Sequence, residues 1–218
     1  MVFIRKIGKP VFTTHELTAV SGKSASTVVQ SLNRLAGQGL LLKVYRGVWA
    51  EERGRALSPF EVMGCLFPRQ RVYVSFITAL HLHGIVEQIP QVITLASPAH
   101  TNLIRTKAGV FSVHRIAPHF YDGFGWYKGE GSFLIAEPEK ALIDSLYLSS
   151  RRKKQFGHFP ELHFSREFNF KKAAGWVERI PEKKIRVYVS KRLIELWTIK
   201  DRKIRKTKRN IDYLTTIG

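Results

Sequence analysis

Apolar residues near the front of the chain recur first with a helical period and then with a strand period. Leu17 and Val20 stand three apart, and Val28, Leu32 and Leu35 follow at i, i+4 and i+7, so two short helices each present one apolar stripe. Thr14 is placed to cap the first, over residues 14–20, and Gly22 to end it in a turn. Ser24 or Ala25 opens the second, which runs to about Gly37 and is closed by Gly39. The segments LLLKV and GVWA then make two short strands around Tyr45-Arg46-Gly47. Helix, turn, helix and hairpin in that order predict a winged helix-turn-helix over residues 1–56, with residues 2–12 supplying a truncated first helix or an arm. Such a unit places its second helix in the major groove of DNA.

The polar stretch EERGRA (51–56) reads as a hinge and a domain boundary. Beyond it, Ser58-Pro59-Phe60-Glu61 is a capping box with Pro at the first helical position, starting a helix through Leu66. Ser75 is placed to cap a helix over 76–83 that Gly84 stops. Strands are expected at 91–96, 110–116 and 133–136. Glu137-Pro138-Glu139 opens a helix carrying Leu142, Ile143, Leu146 and Tyr147. A helix over 170–180 ends at Pro181. Residues 183–197 fit a helix through Ile185, Val189, Leu193 and Leu196, although the IRVYV run suits a strand equally. The fold class expected is α+β: a winged helix-turn-helix followed by a mixed α/β domain over 57–218 with a basic C-terminal tail.

Charge changes this picture more than composition does. With 44% hydrophobic residues and 14 Phe the chain can build cores. Its single cysteine, Cys65, excludes an internal disulfide and suits a reducing compartment. MVFIRKIGKPVF is too broken by charge for a secretory segment, and no run approaches the ~18 apolar residues of a membrane span. A soluble cytoplasmic protein with no membrane partner is expected. The net charge of +19 is unevenly spread. Residues 1–56 carry nine basic against three acidic side chains, residues 57–148 seven against seven, and residues 149–218 twenty against seven. A neutral middle between basic ends points to polyanion binding at both, because each phosphate neutralised releases counterions.

Opposite its apolar stripe the second helix carries Ser26, Thr27, Gln30, Asn33 and Arg34, and no acidic residue falls between Ser24 and Gly37. Small hydroxyls, amides and one guanidinium are the groups that read base edges and hold phosphates. Lys43 and Arg46 add positive charge to the hairpin, where a wing would follow the DNA backbone. Residues 200–209 hold seven bases and one Asp, a flexible or helical polyanion-binding tail.

Enzyme chemistry finds little support. His81 and His83 stand two apart and would point to different helix faces. His114, His119 and Asp122 are better read as satisfied side chains than as metal ligands. Ser21-Gly22-Lys23-Ser24 lacks the upstream glycine of a phosphate loop. Glu137, Glu139 and Asp144 are attributed to capping and exposure, and Cys65 to an inert apolar setting. No catalytic residue, metal or cofactor is expected. The competing expectations are a nucleic-acid-processing enzyme or an RNA-binding basic protein anchored by the same helix pair.

The segments GKPVFTTHELTAVSG, GLLLKVYRGVWA, YVSFITALHLHG leading into QIPQVITLASP, AEPEKALIDSLYL, FPEL and WVERIP together resemble the AbiEi-type antitoxins of bacterial type IV (abortive infection) toxin–antitoxin systems. The resemblance covers nearly the whole chain. It implies a winged-helix domain that binds inverted repeats in its own promoter. It also implies a C-terminal α/β domain acting against a nucleotidyltransferase-like toxin encoded alongside. Carried over by position, the DNA contacts fall on Ser24, Ser26, Thr27, Gln30 and Arg34, with Lys23 before them and Lys43 and Arg46 in the wing. The basic tail after Trp197 departs from the family, and the resemblance assigns no antitoxin residues.

Overall fold

The computed structural model describes residues 2–68, 71–129, 132–151 and 159–215, with side chains through Lys200. The fold is α+β, and the chain divides into two units that exchange segments. The first comprises residues 1–74, 91–115 and 126–135, the second 75–90, 116–125 and 136–218. Residues 1–56 lie wholly in the first unit, whereas 57–218 is shared between both.

The first unit opens with α1 (Val2–Ile7), β1 (Val11–Thr13), α2 (Thr14–Ser21), α3 (Ala25–Gly37), β2 (Leu41–Tyr45) and β3 (Val48–Glu51). The three strands form an antiparallel sheet in the order β1-β3-β2. Ile4, Phe12, Leu17, Val28, Leu32, Leu41 and Trp49 make one buried cluster beneath the helices. The expected apolar stripe is thus its core, with Val28 and Leu32 fully buried and Leu35 packed at the margin. Two details differ from expectation. The cap of α2 is Thr13, not Thr14: Thr13 Oγ1 accepts the Glu16 N–H at 3.1 Å while a Glu16 carboxylate oxygen accepts the Thr13 N–H at 2.7 Å. Thr14 Oγ1 instead accepts the Trp49 indole N–H at 3.0 Å, tying β3 to α2. Three residues before the helix form a strand, too short for any period to announce it.

The same unit continues with α4 (Pro59–Leu66), which has the expected capping box between Ser58 and Glu61, and with most of a six-stranded mixed sheet. Its strands are β4 (Tyr73–Val74), β5 (Val92–Ser97), β6 (Asn102–Thr106), β7 (Gly109–Arg115), β8 (Phe124–Trp126) and β9 (Leu134–Ala136), in the order β6-β7-β5-β4-β9-β8. β5 and β7 run parallel over six residue pairs, and most of each strand is buried. Strands β4, β6 and β8 carry weak patterns, because β4 is two residues long and β6 is mostly exposed.

The second unit is helical: α5 (Phe76–Leu82), a 3-10 turn at Pro118–Phe120, α6 (Pro138–Ser149), α7 (Phe170–Glu178) and α8 (Lys183–Thr215). α6 packs against α5, α7 and α8 and is buried from Glu139 to Leu148. Residues 183–197 are helical, with Ile185, Val189 and Leu193 in the core, so the helical period prevails over the β-branched run. The helix continues through the basic tail. Phe76 begins α5 with φ at +59° and its side chain fully buried, a conformation a residue with a Cβ adopts only where packing imposes it.

Candidate nucleic-acid interface

The turn between α2 and α3 depends on Gly22, whose φ of 64° lies in the left-handed region and whose N–H closes α2 on the Thr18 carbonyl at 3.0 Å. Two residues later Ser24 caps α3, its Oγ accepting the Thr27 N–H at 3.3 Å. That Oγ also lies 2.9 Å from both Ser26 Oγ and Thr27 Oγ1. Three hydroxyls therefore cluster at the exposed N-terminus of a helix whose dipole favours anions. No acidic residue occupies the first turn of α3, and Arg34 falls in its last.

At 3.6 residues per turn, Ser26, Thr27, Gln30, Asn33 and Arg34 share an arc of roughly 120° opposite Val28 and Leu32. All are exposed, as are Lys23, Ser24, Lys43 and Arg46. The neighbouring cations Lys9, Arg53 and Arg55 pair with Glu16, Glu51 and Glu61. Among the described residues, Lys23, Arg34, Lys43 and Arg46 enter no such pair, so their charge faces solvent. Lys23 Nζ lies 5.8 Å from the Phe3 ring centroid and Lys43 Nζ 5.4 Å from that of Trp49. The rings draw both stems toward the body and leave the ammonium groups at the surface.

Sequence and structure agree on which residues share a surface in α3, while the hairpin pair is placed separately. Gly47, with φ at 73°, accepts the Thr14 N–H at 2.9 Å. This bond fixes the β2–β3 turn to the start of α2. Arg46 accordingly lines an open cleft with His15, Glu16, Phe60, Glu61 and Cys65. Burial pushes the Cys65 thiol up to about 11, so it stays protonated and a poor nucleophile near neutrality. Burial would also raise the Glu16 carboxyl. The hydrogen bonds from the Thr13 N–H and hydroxyl, with Lys9 beside it, outweigh that effect and hold it below the usual 4.5.

A second concentration of polar groups, in the helical unit, was not expected from sequence. Lys140 and Asp144 are both 0% exposed and form an ion pair one helical turn apart on α6. Ser75 Oγ donates to the other Asp144 oxygen at 2.7 Å. Lys140 Nζ also sits 4.0 Å from the Phe120 ring centroid and 5.5 Å from that of Trp176. Desolvation lowers the Lys140 pKa, with Asp144 opposing the fall. Glu139, 5% exposed, accepts the Asn169 N–H at 2.9 Å, which holds the start of α7. The expectation that Glu139 and Asp144 are exposed is therefore corrected: α6 is enclosed, and its charges are satisfied internally. Ser75 stands at the N-cap of α5 as expected but makes no side-chain cap hydrogen bond; its hydroxyl donates to Asp144 instead. A charged side chain in an apolar run suggests a buried pair only when its partner stands at i+4, as Lys140 and Asp144 do.

Among the described residues no group of three or more His, Cys, Asp and Glu side chains is placed to hold a metal ion, and no helix is long and apolar enough to cross a membrane. His114 is buried on β7, with its Nε2 3.0 Å from Ser112 Oγ. Compared with known protein families the chain gives no match, and no curated protein matches it either.

Proposed function

We propose that the protein is the antitoxin of a bacterial type IV toxin–antitoxin system and represses its own operon by binding inverted repeats in the promoter. In this reading residues 1–56 are a winged helix-turn-helix, with α3 the recognition helix and the β2–β3 hairpin the wing. Residues 57–218 carry the activity against a nucleotidyltransferase-like toxin. Ser24, Ser26, Thr27, Gln30 and Arg34 meet the duplex through base edges and phosphates, and Lys23, Lys43 and Arg46 meet its backbone. The reading assigns no catalytic residue, metal or cofactor, and it places the protein in the cytoplasm.

The observation that carries it is the outer face of α3. That face is acid-free and exposed, bears amide, hydroxyl and guanidinium groups, and rests on a helix held rigidly from behind by Val28 and Leu32. An ordinary solvated helix would carry alternating acids and bases there. The resemblance to AbiEi-type antitoxins supplies the operon context.

The test begins by enriching the preferred duplex from a random pool and measuring its binding by fluorescence anisotropy. Arg34→Ala should weaken that binding by about 1–3 kcal/mol and relax the preference near its contact. Arg46→Ala should weaken it with little change in preference. Unaltered affinity in both variants would refute the DNA-binding half. For the antitoxin half, co-expression with the toxin from the adjacent reading frame should restore growth.

A further inference from the structure

We infer that α8 is a second nucleic-acid contact, gripping the phosphate backbone of duplex DNA without regard to sequence. Between Lys183 and Thr215 the helix carries twelve lysines and arginines against three acidic residues. At a rise of 1.5 Å per residue it is about 50 Å long, and its two halves differ. The first half is anchored. Ile185, Val189 and Leu193 are buried, Trp197 stacks on Phe170 with centroids 5.6 Å apart, and Lys200 Nζ donates to the Ser165 carbonyl at 2.9 Å. The densest basic run starts where this anchoring ends, with seven bases in residues 200–209 on a helical backbone.

Three observations favour a polyanion over bare solvent or a lipid surface. Arg202 and Lys206, and Arg205 and Arg209, stand four apart in a helix, and like charges at that spacing repel. A bound polyanion would relieve this repulsion. Lys183, Lys184 and Lys191 on the anchored half are exposed and, among the described residues, enter no salt bridge. A helix that lies on a membrane needs a free apolar face. Here Ile185, Val189 and Leu193 of the first half are buried, the exposed Val187, Tyr188, Ile194 and Ile199 are interspersed with Lys183, Lys184 and Lys191, and Ile204 is the only apolar residue between Lys200 and Arg209. Phosphate oxygens along a duplex are the anions such a rod of charge can meet repeatedly.

This inference stands apart from the role proposed for α3 and is tested separately. The full-length protein is titrated against a random-sequence duplex of about 30 base pairs between about 50 and 200 mM NaCl, where backbone contacts dominate. The variant K203Q/R205Q/K206Q/K208Q/R209Q keeps a helix-compatible residue at each position. It should lose about tenfold or more in affinity at the low-salt end, and its salt slope should flatten by about 0.9 for each contact removed. A second variant on the anchored half, K183Q/K184Q/K191Q, should flatten the slope further. Arg34→Ala should leave the slope for random duplex within about one contact of the parent, which separates failure of α3 from failure of α8. Parental slopes in both glutamine variants would overturn the inference. So would loss of binding to phosphatidylserine vesicles with duplex binding intact.

Discussion

Helices α3 and α6 are 13 and 12 residues long and use their polar side chains in opposite ways. On α3 the polar groups line the outward face, and its one cation, Arg34, enters no salt bridge among the described residues. On α6 the charged groups Glu139, Lys140 and Asp144 are enclosed, each spent on a neighbour within the helical unit. A partner can use only what the fold leaves unspent. By that criterion α3 is a surface for recognition, and α6 is a strut whose charges fix α5 and α7 in place.

The largest effect should come from breaking the strut. Lys140→Ala leaves Asp144 buried without its countercharge, and removing one member of a buried pair costs about 3–5 kcal/mol. Urea unfolding at neutral pH should show this as a large drop in midpoint. Replacing both residues, as in Lys140→Met with Asp144→Leu, should recover much of the loss, because the pair's own desolvation cost disappears with it. A single variant as stable as the parent would show that α6 does not depend on the pair, and the contrast with α3 would fail.

The two faces of α3 offer a contrast on one helix. Leu32 is fully buried against Phe12 and Trp49 in one cluster, so Leu32→Ala should cost about 2–5 kcal/mol of stability. Two residues earlier, Gln30→Ala removes an exposed side chain and should change stability by less than about 0.5 kcal/mol, its effect confined to DNA binding. Thermal unfolding of the two variants side by side checks this. Comparable losses would mean that the polar face is also structural.

α6 stands where Glu137-Pro138-Glu139 predicted a helix, and why the outward face of α3 was legible while the enclosed charges of α6 were not follows from the same physics. An amphipathic helix at a surface writes its environment into its period: Val28, Leu32 and Leu35 mark the inside, so Gln30 and Arg34 mark the outside. The cap at Ser24, the turn at Gly22 and the box at Ser58 are equally local and were readable. A helix buried on all sides has no such period. Lys140 and Asp144 then differ from a surface i, i+4 pair only through partners such as Ser75, 69 residues away from Asp144. The short strands β1, β4 and β6 depend on their neighbours in the sheet rather than on a pattern of their own. The interleaving of the two units is a long-range property that no local period carries.

The smallest effect concerns the local helix caps and their response to acid. Glu16 is held below its ordinary 4.5 chiefly by the Thr13 N–H and hydroxyl against the opposing effect of burial. The Arg55 hydrogen bond, against a smaller burial effect, holds Glu61 down in the same way. A carboxylate with a depressed folded-state pKa binds protons less readily when folded than when unfolded. Its contribution is therefore complete above 4.5 and is lost as the pH falls through the folded value. Both side chains are partly exposed, at 34% and 23%, so each contribution should stay below about 1 kcal/mol. Glu16→Gln should therefore lower stability slightly at pH 6 and flatten the fall between pH 5 and pH 3 (about 1.4 kcal/mol per unit is the steepest slope one proton can give), with Glu61 supplying the remainder. Thermal melts across that range provide the measurement. An acid limb as steep in Glu16→Gln as in the parent would move the sensitivity away from the α2 cap and overturn its assignment as one of the first parts to yield.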